Sequence, residues 1–324
     1  MRKLSVFLFG ISCAGAVLLT ACSPFQKLGL KQGYSFEDRE QLYAMQEEQG
    51  RAEGFAHDLC VIFPEDSWND SSVTSEAAGV FSIDDNRVVF GKNPFEKLYP
   101  ASITKVMTAL IAVKYGNLSD VVTVTDDAVI TESGATLCGI KPGDQLTMDQ
   151  LLYGLMLPSG NDAGAAIAVH MAGSIEGFAD MMNKEARALG ATGTHFMNPH
   201  GLSNENHYTT AYDLYLIFNE ALKQPEFRKV DGSTSFVANY KDKNGADISK
   251  TWKGGNWYMT GDRETPDGLK VFASKTGTTK AAGYCLIMAS RDDLDKEYIS
   301  VVLKAGSRPG LYDNMTNIIR KIVD

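Results

Sequence analysis

Apolar positions gather into short extended runs towards the two ends of the chain and recur at helical spacing through its middle. Gly79-Val-Phe-Ser-Ile83, the polar Asp84-Asp-Asn86 and Arg87-Val-Val-Phe90 predict strand, turn and strand, a β-hairpin. Near the C-terminus, Gly268 to Ala273, Ala282 to Ser290 and Tyr298 to Ala305 read as further strands, and Leu311 to Val323 as a closing helix. A helix is expected to open at Pro100 or Ala101, because proline is favoured in the first turn, where its missing N–H is no loss. Val106, Leu110, Ile111 and Val113 give that helix a broad apolar surface. Further helical runs are Met148 to Leu157, halted by Pro158-Ser-Gly, then Ala163 to Ala172, Ile175 to Leu189 and Thr210 to Leu222. Strands at both ends and helices between them imply a mixed sheet joining the two termini beside a helical lobe.

Composition narrows the class. The chain has 324 residues, 44% of them apolar, enough for a sizeable core. A formal charge of −9 lacks the basic face that a nucleic-acid binder shows, and no nucleic-acid partner is expected. No internal repeat or low-complexity tract is present.

The first residues address the chain to export. Arg2 and Lys3 precede an apolar run from Leu4 to Leu19, and Leu19-Thr-Ala-Cys22 closes it. The run is short for a membrane span, which needs about 20 apolar residues. Its last four residues resemble the lipobox of bacterial lipoproteins, which implies a signal peptide over 1–21 and a lipidated Cys22 that holds the protein on a bacterial membrane. Polar chain rich in Gln, Glu and Gly follows, with a solvated helix or a tether over Tyr34 to Gly54 and linker chemistry at Pro64 to Ser72. The expected division is therefore a signal at 1–21, an anchored N-terminal segment at 22–76 and a compact domain at 77–324. Of the five cysteines, Cys13 leaves with the signal, and Cys60, Cys138 and Cys285 are spaced too widely for a metal site and read as buried thiols.

Three short motifs carry candidate chemistry. In Tyr99-Pro-Ala-Ser-Ile-Thr-Lys-Val-Met-Thr-Ala-Leu110, Ser102 and Lys105 stand three apart, on one face of a helix. An amine against an apolar helix surface loses hydration, which lowers its pKa. Once neutral, it can take the serine proton and activate the hydroxyl without histidine. The bland alternative is a capping serine and a snorkelling lysine. In Leu157-Pro-Ser-Gly-Asn-Asp162, the Ser159 hydroxyl and Asn161 amide suit a proton relay and a peptide grip, or merely a turn that caps the next helix. In Ser274-Lys-Thr-Gly-Thr278, a lysine and neighbouring hydroxyls suit a carboxylate, while the glycine marks a close backbone approach or a surface turn.

The three together, S-x-x-K, S-x-N and K-T-G in that order, form a known signature of penicillin-binding proteins and class A β-lactamases. The wider stretches "LLYGLMLPSGNDAGAAIA", "MNKEARALGATGTHFMNPHGL", "TTAYDL" and "SKTGTTKAAGYCLI" resemble the low-molecular-weight D-alanyl-D-alanine carboxypeptidases, over roughly Ala77 to Asp324. The resemblance implies a mixed α/β (α+β), β-lactamase/transpeptidase-like fold: a mostly antiparallel sheet flanked by helices, plus an all-helical lobe, with the active site between them. It implies Ser102 as acyl-forming nucleophile, Lys105 as its base and Ser159 as relay to the leaving amine. Asn161 would bind the peptide backbone, Lys275 and Thr276 the substrate carboxylate, and Gly277 would let the strand approach. The backbone N–H groups of Ser102 and Thr278 would form the oxyanion hole. The charge of Lys275 would help to keep Lys105 neutral. The implied reaction removes the terminal D-alanine of a peptidoglycan stem peptide through a serine ester, without a cofactor, and β-lactams would acylate the same serine.

Two departures stand out. The β-rich domain that follows the catalytic one in many relatives is not expected here, and anchoring shifts to Cys22. A class A β-lactamase would need a glutamate in E-x-x-L-N, and Glu220-Ala-Leu-Lys lacks that pattern. A D,D-endopeptidase has the same motifs, and a non-catalytic β-lactam sensor is the rival from another class. His195, His200 and His207 lie close in sequence but without a zinc pattern, and no metal is expected. The pairs Asp126/Asp127 and Asp292/Asp295 read as solvated loop charges, and Trp252 and Trp257 as part of a surface hairpin, with a groove rim as the alternative.

Overall fold

A computed structural model of the protein describes residues 59–63 and 68–323. The expected signal, Cys22 and the Tyr34 to Gly54 segment lie outside the described residues. The elements run β1 (Ala77–Ser82), β2 (Arg87–Lys92), a 3-10 turn (Ala101–Thr104), α1 (Lys105–Tyr115), β3 (Val121–Thr123), β4 (Gln145–Thr147), α2 (Met148–Met156), α3 (Asn161–Ala172) and α4 (Ile175–Ala188). They continue with α5 (Ala211–Leu222), α6 (Pro225–Asp231), β5 (Ser235–Lys241), β6 (Asp247–Lys253), α7 (Trp257–Thr260), β7 (Leu269–Thr279), β8 (Gly283–Asp292), β9 (Glu297–Ala305) and α8 (Arg308–Arg320).

The terminal strands form one sheet, as the sequence pattern implied, in the order β2-β1-β9-β8-β7, but every pairing is antiparallel, as the resemblance implied, and not mixed. Its inner strands are apolar on both faces because both faces are covered. On β8, Cys285, Ile287 and Ala289 belong to the larger core, which also contains α1 and α5 residues such as Leu110, Tyr215 and Phe218. The alternate residues Leu286 and Met288 pack instead with Leu311, Tyr312, Met315, Ile318 and Ile319 of α8. Helices therefore sandwich the sheet, and β7 is left as an edge strand.

The middle of the chain is not purely helical. A second antiparallel sheet, β3-β4-β5-β6, lies beside the helices of that lobe. Two of its strands are only three residues long, and β5 and β6 expose about every other position, so their apolar signal is weak. A hairpin does form there, but Trp252 is no rim residue: it is 2% exposed, and its indole N–H donates to the Cys138 carbonyl at 3.0 Å. Trp257 lies beyond the hairpin and stacks on Tyr312 at 4.4 Å.

The packed chain also begins before the expected start at Ala77. Cys60 is fully buried, its N–H donating to the Tyr215 hydroxyl at 2.9 Å, while Tyr212 donates to the Cys60 carbonyl at 2.6 Å. Trp68 packs beside Gly91, and Asp70 pairs with Lys321 at 2.6 Å, so the end of the expected linker is tied to the sheet. Cys60, Cys138 and Cys285 are free, buried thiols. Among the described residues no helix is long and apolar enough to cross a membrane.

Phe81 joins the sheet to α5: it is fully buried and stacks on Tyr215 with ring centroids 4.5 Å apart. Phe81→Ala is expected to cost about 3–5 kcal/mol of stability, read as a lower urea midpoint with unchanged slope.

Candidate active site

The 3-10 turn after Pro100 carries Ser102, and Lys105 is the first residue of α1. Three positions of tight helix bring the Lys105 Nζ to 2.9 Å from the Ser102 Oγ. The amine is fully buried and also contacts the Asn161 Oδ1 at 2.7 Å and the His200 carbonyl at 2.8 Å. Both of those oxygens can only accept. A neutral amine has two N–H groups and one lone pair, so its hydrogens satisfy Asn161 and His200 while the lone pair meets the Ser102 hydroxyl. That is the arrangement for removing the serine proton.

Electrostatics favour this form. Burial holds the Lys105 amine well below the usual lysine range, the nearby Lys275 ammonium lowers it further, and Asp162 opposes both. Lys275 is itself buried, and desolvation pulls it down to about 8. Of two neighbouring amines in one pocket, the more strongly depressed one is Lys105.

The second motif spans the junction from α2 to α3. Ser159 adopts a left-handed φ of +63°, a conformation uncommon outside glycine, and Asn161 opens α3. Asp162 clamps this corner: its carboxylate accepts from the backbone N–H groups of Cys138, Gly139, Ile140 and Ala163 at 2.7–3.2 Å. The third motif lies on edge strand β7. Lys275 donates to the Ser159 Oγ at 3.1 Å and to the Thr276 carbonyl at 3.0 Å. Gly277 packs against the turn: a Cβ there would stand 2.9 Å from both the Pro100 carbonyl oxygen and the Ser102 nitrogen. Thr278 follows, exposed and paired in register with Tyr284.

Backbone support comes from the histidine loop. Gly201, at φ +86°, passes so close to the Ala101 carbonyl that a Cβ would fall 1.8 Å from its oxygen. Ala101 has a left-handed φ of +48°, and its carbonyl accepts from the Thr104 hydroxyl at 2.8 Å. The His207 Nδ1 accepts from the Met197 N–H at 3.2 Å, so its Nε2 carries the hydrogen towards Thr104, 2.9 Å away. Burial depresses His200 and His207 to about 3, leaving both neutral. Among the described residues no cluster of histidine, cysteine and carboxylate side chains is arranged to hold a metal.

The predicted residues Ser102, Lys105, Ser159, Asn161, Lys275, Thr276, Gly277 and Thr278 thus meet where the 3-10 turn, the α2–α3 corner and β7 converge. The Asn161 oxygen is turned to Lys105, a contact beyond its expected hold on peptide. Sequence reasoning missed the His200 carbonyl, which as a backbone group has no side-chain signature. It also missed the Asp162 clamp, although an acidic residue in the first turn of α3 was a legible signal.

Comparison with known proteins identifies the family. The D-alanyl-D-alanine carboxypeptidase family matches residues 65–307. This chain belongs to that family. The carboxypeptidase DacF of Bacillus subtilis is 34% identical over 224 residues, which cover 67% of this chain and 54% of that protein. The carboxypeptidase DacC of Escherichia coli is 35% identical over 244 residues, 72% of this chain and 57% of that protein. The chain therefore spans little more than half the length of the curated relatives it matches. Among solved structures, the Streptomyces K15 DD-transpeptidase superposes with a TM-score of 0.72 at 28% identity, covering 78% of this chain and 98% of that one. The carboxypeptidase DacD from Francisella tularensis gives 0.68 at 25% identity, covering 86% and 75%. The fold is that of the penicillin-recognising β-lactamase and transpeptidase group, and here one lobe carries the small β3–β6 sheet beside its helices.

A buried amine with a lowered pKa makes stability depend on pH. The unfolded chain binds a proton at Lys105 up to about 10.4, whereas the folded chain has released it at lower pH, so stability from this group rises with pH between those limits. Lys105→Met removes that dependence. Its stability relative to the parent, the difference in free energy of unfolding, is expected to be greater at pH 7 than at pH 10, measured by paired urea titrations, and an unchanged difference would mean a charged Lys105 in the fold.

Proposed function

We propose that this protein is a serine D-alanyl-D-alanine carboxypeptidase acting on peptidoglycan stem peptides. The observation that carries the proposal is the Lys105 amine 2.9 Å from the Ser102 hydroxyl, with both amine hydrogens committed elsewhere. Lys105 takes the hydroxyl proton as the Ser102 Oγ attacks the carbonyl of the penultimate D-alanine. Negative charge develops on that oxygen, and the N–H groups of Ser102 and Thr278 stabilise it. The C–N bond then breaks, the departing amine of D-alanine receives a proton through Ser159, and an ester on Ser102 remains for water to hydrolyse.

Substrate class follows from the surroundings. β7 pairs on one side only, so its free edge suits an extended peptide added as a strand. Lys275 supplies positive charge and Thr276 a hydroxyl where the peptide's terminal carboxylate would lie, while Asn161 borders the same groove. A β-lactam, which carries a carboxylate and a strained amide, meets the same groups and acylates the same serine. Peptidoglycan lies outside the cytoplasm, which accords with the export pattern at residues 1–21 and a lipid on Cys22, with the segment after Cys22 leading to the domain.

The test is incubation with a pentapeptide ending in D-Ala-D-Ala and with a cross-linked dimer. Release of D-alanine from the first, with no monomers from the second, is expected; the reverse would assign an endopeptidase. Ser102→Ala and Lys105→Ala should each reduce turnover by at least about 10³-fold, as loss of a nucleophile or its base does. Ser102→Ala should also abolish labelling by fluorescent penicillin, and persistent labelling would overturn the assignment. Cys22→Ala should release the protein from the membrane fraction.

A further inference from the structure

A small polar space adjoins the β7 lysine, and two of its wall residues, Asp231 and Asn256, have no part in the proposed reaction. Its volume is about 30 Å³, and its walls include Asp231, Asn256, Ser274, Lys275 and Thr276. Asp231 ends α6 and is 4% exposed; its Oδ2 is buried without a hydrogen-bond partner, while the backbone of Ser274 donates to the carboxylate. Asn256 is 6% exposed, and its Oδ1 accepts from the Tyr258 N–H at 2.8 Å to cap α7. Its Nδ2 is then the free donor, and it too is buried without a partner. One orphaned acceptor and one orphaned donor on the wall of a water-sized polar space are what an ordered water satisfies. The amide N–H disfavours a cation there.

We propose that Asp231 is a positioning residue for Lys275: with water held between its carboxylate and Asn256 in the cavity that all three residues line, it holds the Lys275 side chain in place to meet the substrate carboxylate. This inference rests on the proposed carboxylate-binding role of Lys275. One neighbour shares the charge of Lys275, the Ser159 hydroxyl, which takes one of its hydrogens, while the amine of Lys105 at the start of α1 is itself lowered by Lys275. Asp162 on α3 acts on Lys105. Asp231, on α6, is the carboxylate that acts on Lys275 itself. Burial pulls Lys275 down to about 8, and Asp231 opposes that pull; burial pushes Asp231 up to about 8, and Lys275 opposes that in turn. Each group favours the charged form of the other. Without the carboxylate, desolvation of Lys275 is unopposed, and the ammonium loses its proton at lower pH.

Asp231→Asn keeps the shape of the side chain and removes the charge, and Asp231→Ser leaves room for extra water if the amide packs poorly. KM for the pentapeptide and the second-order rate of penicillin acylation are measured from pH 6 to 10 in the parent and both variants. The alkaline limb is expected to move down by about one pH unit, equivalent to tenfold in the ratio of ammonium to amine. The effect should grow with pH in KM and in the acylation rate, and any change in kcat should follow the same limb, because Lys275 lowers the Lys105 amine. An unmoved limb, or equal losses in kcat and kcat/KM at every pH, would overturn the proposal and leave Asp231 a structural residue. A parent that takes penicillin but releases no D-alanine would refute the carboxypeptidase reading, and Asp231 would then be judged on the acylation limb.

Discussion

The site depends on one amine that the fold keeps dry and whose charged form burial disfavours. Lys105 has lost its hydration to the α1 packing, and its hydrogens are held by a side-chain amide and a backbone carbonyl. Burial of this kind destabilises the charged form, so a lysine can act as a base near neutral pH without histidine or a metal. The fold bears a cost for it, since the unfolded chain prefers the protonated lysine. The cationic Lys275 nearby adds to the depression, so the two lysines of the site do not share one charge state equally.

Backbone conformation sets how closely the pieces of the site approach one another. Gly277 allows β7 to pass against the turn that holds Ser102, and Gly201 allows the histidine loop to pass against Ala101. Two non-glycine residues, Ala101 and Ser159, stand in the left-handed region inside the site itself. Such residues persist where their surroundings over-determine them. Here the surroundings are the His207–Thr104–Ala101 chain on one side and the four-donor grip of Asp162 on the other.

The architecture explains why these pieces can meet. A sheet covered by helices on both faces gives a rigid core, and its uncovered margin is the edge strand that bears Lys275 to Thr278. The α2–α3 corner belongs to the other lobe, yet Ser159 touches Lys275 and Asn161 touches Lys105. Those two contacts join the lobes across the site, and a peptide laid along β7 would lie between them.

Much of this was legible in the sequence. Motif order, apolar periodicity and turn chemistry specified the hairpin at 79–90, the main helices to within a few residues, the terminal strands and every residue of the three motifs, because these are local patterns. The i, i+3 spacing alone put the Lys105 amine within reach of Ser102. The second sheet escaped notice because its strands are short or half exposed, and the early start of the domain because Cys60 is buried by a partner more than a hundred residues away and the half-buried Trp68 packs beside Gly91 of β2. Tertiary structure alone decided that the His200 carbonyl would cap the amine, that Asn161 would turn its oxygen inward and that Asp231 would stand behind Lys275. A sequence records which groups a segment carries. Which distant groups share one desolvated pocket, and so set each other's charge, is determined only when the chain closes around them.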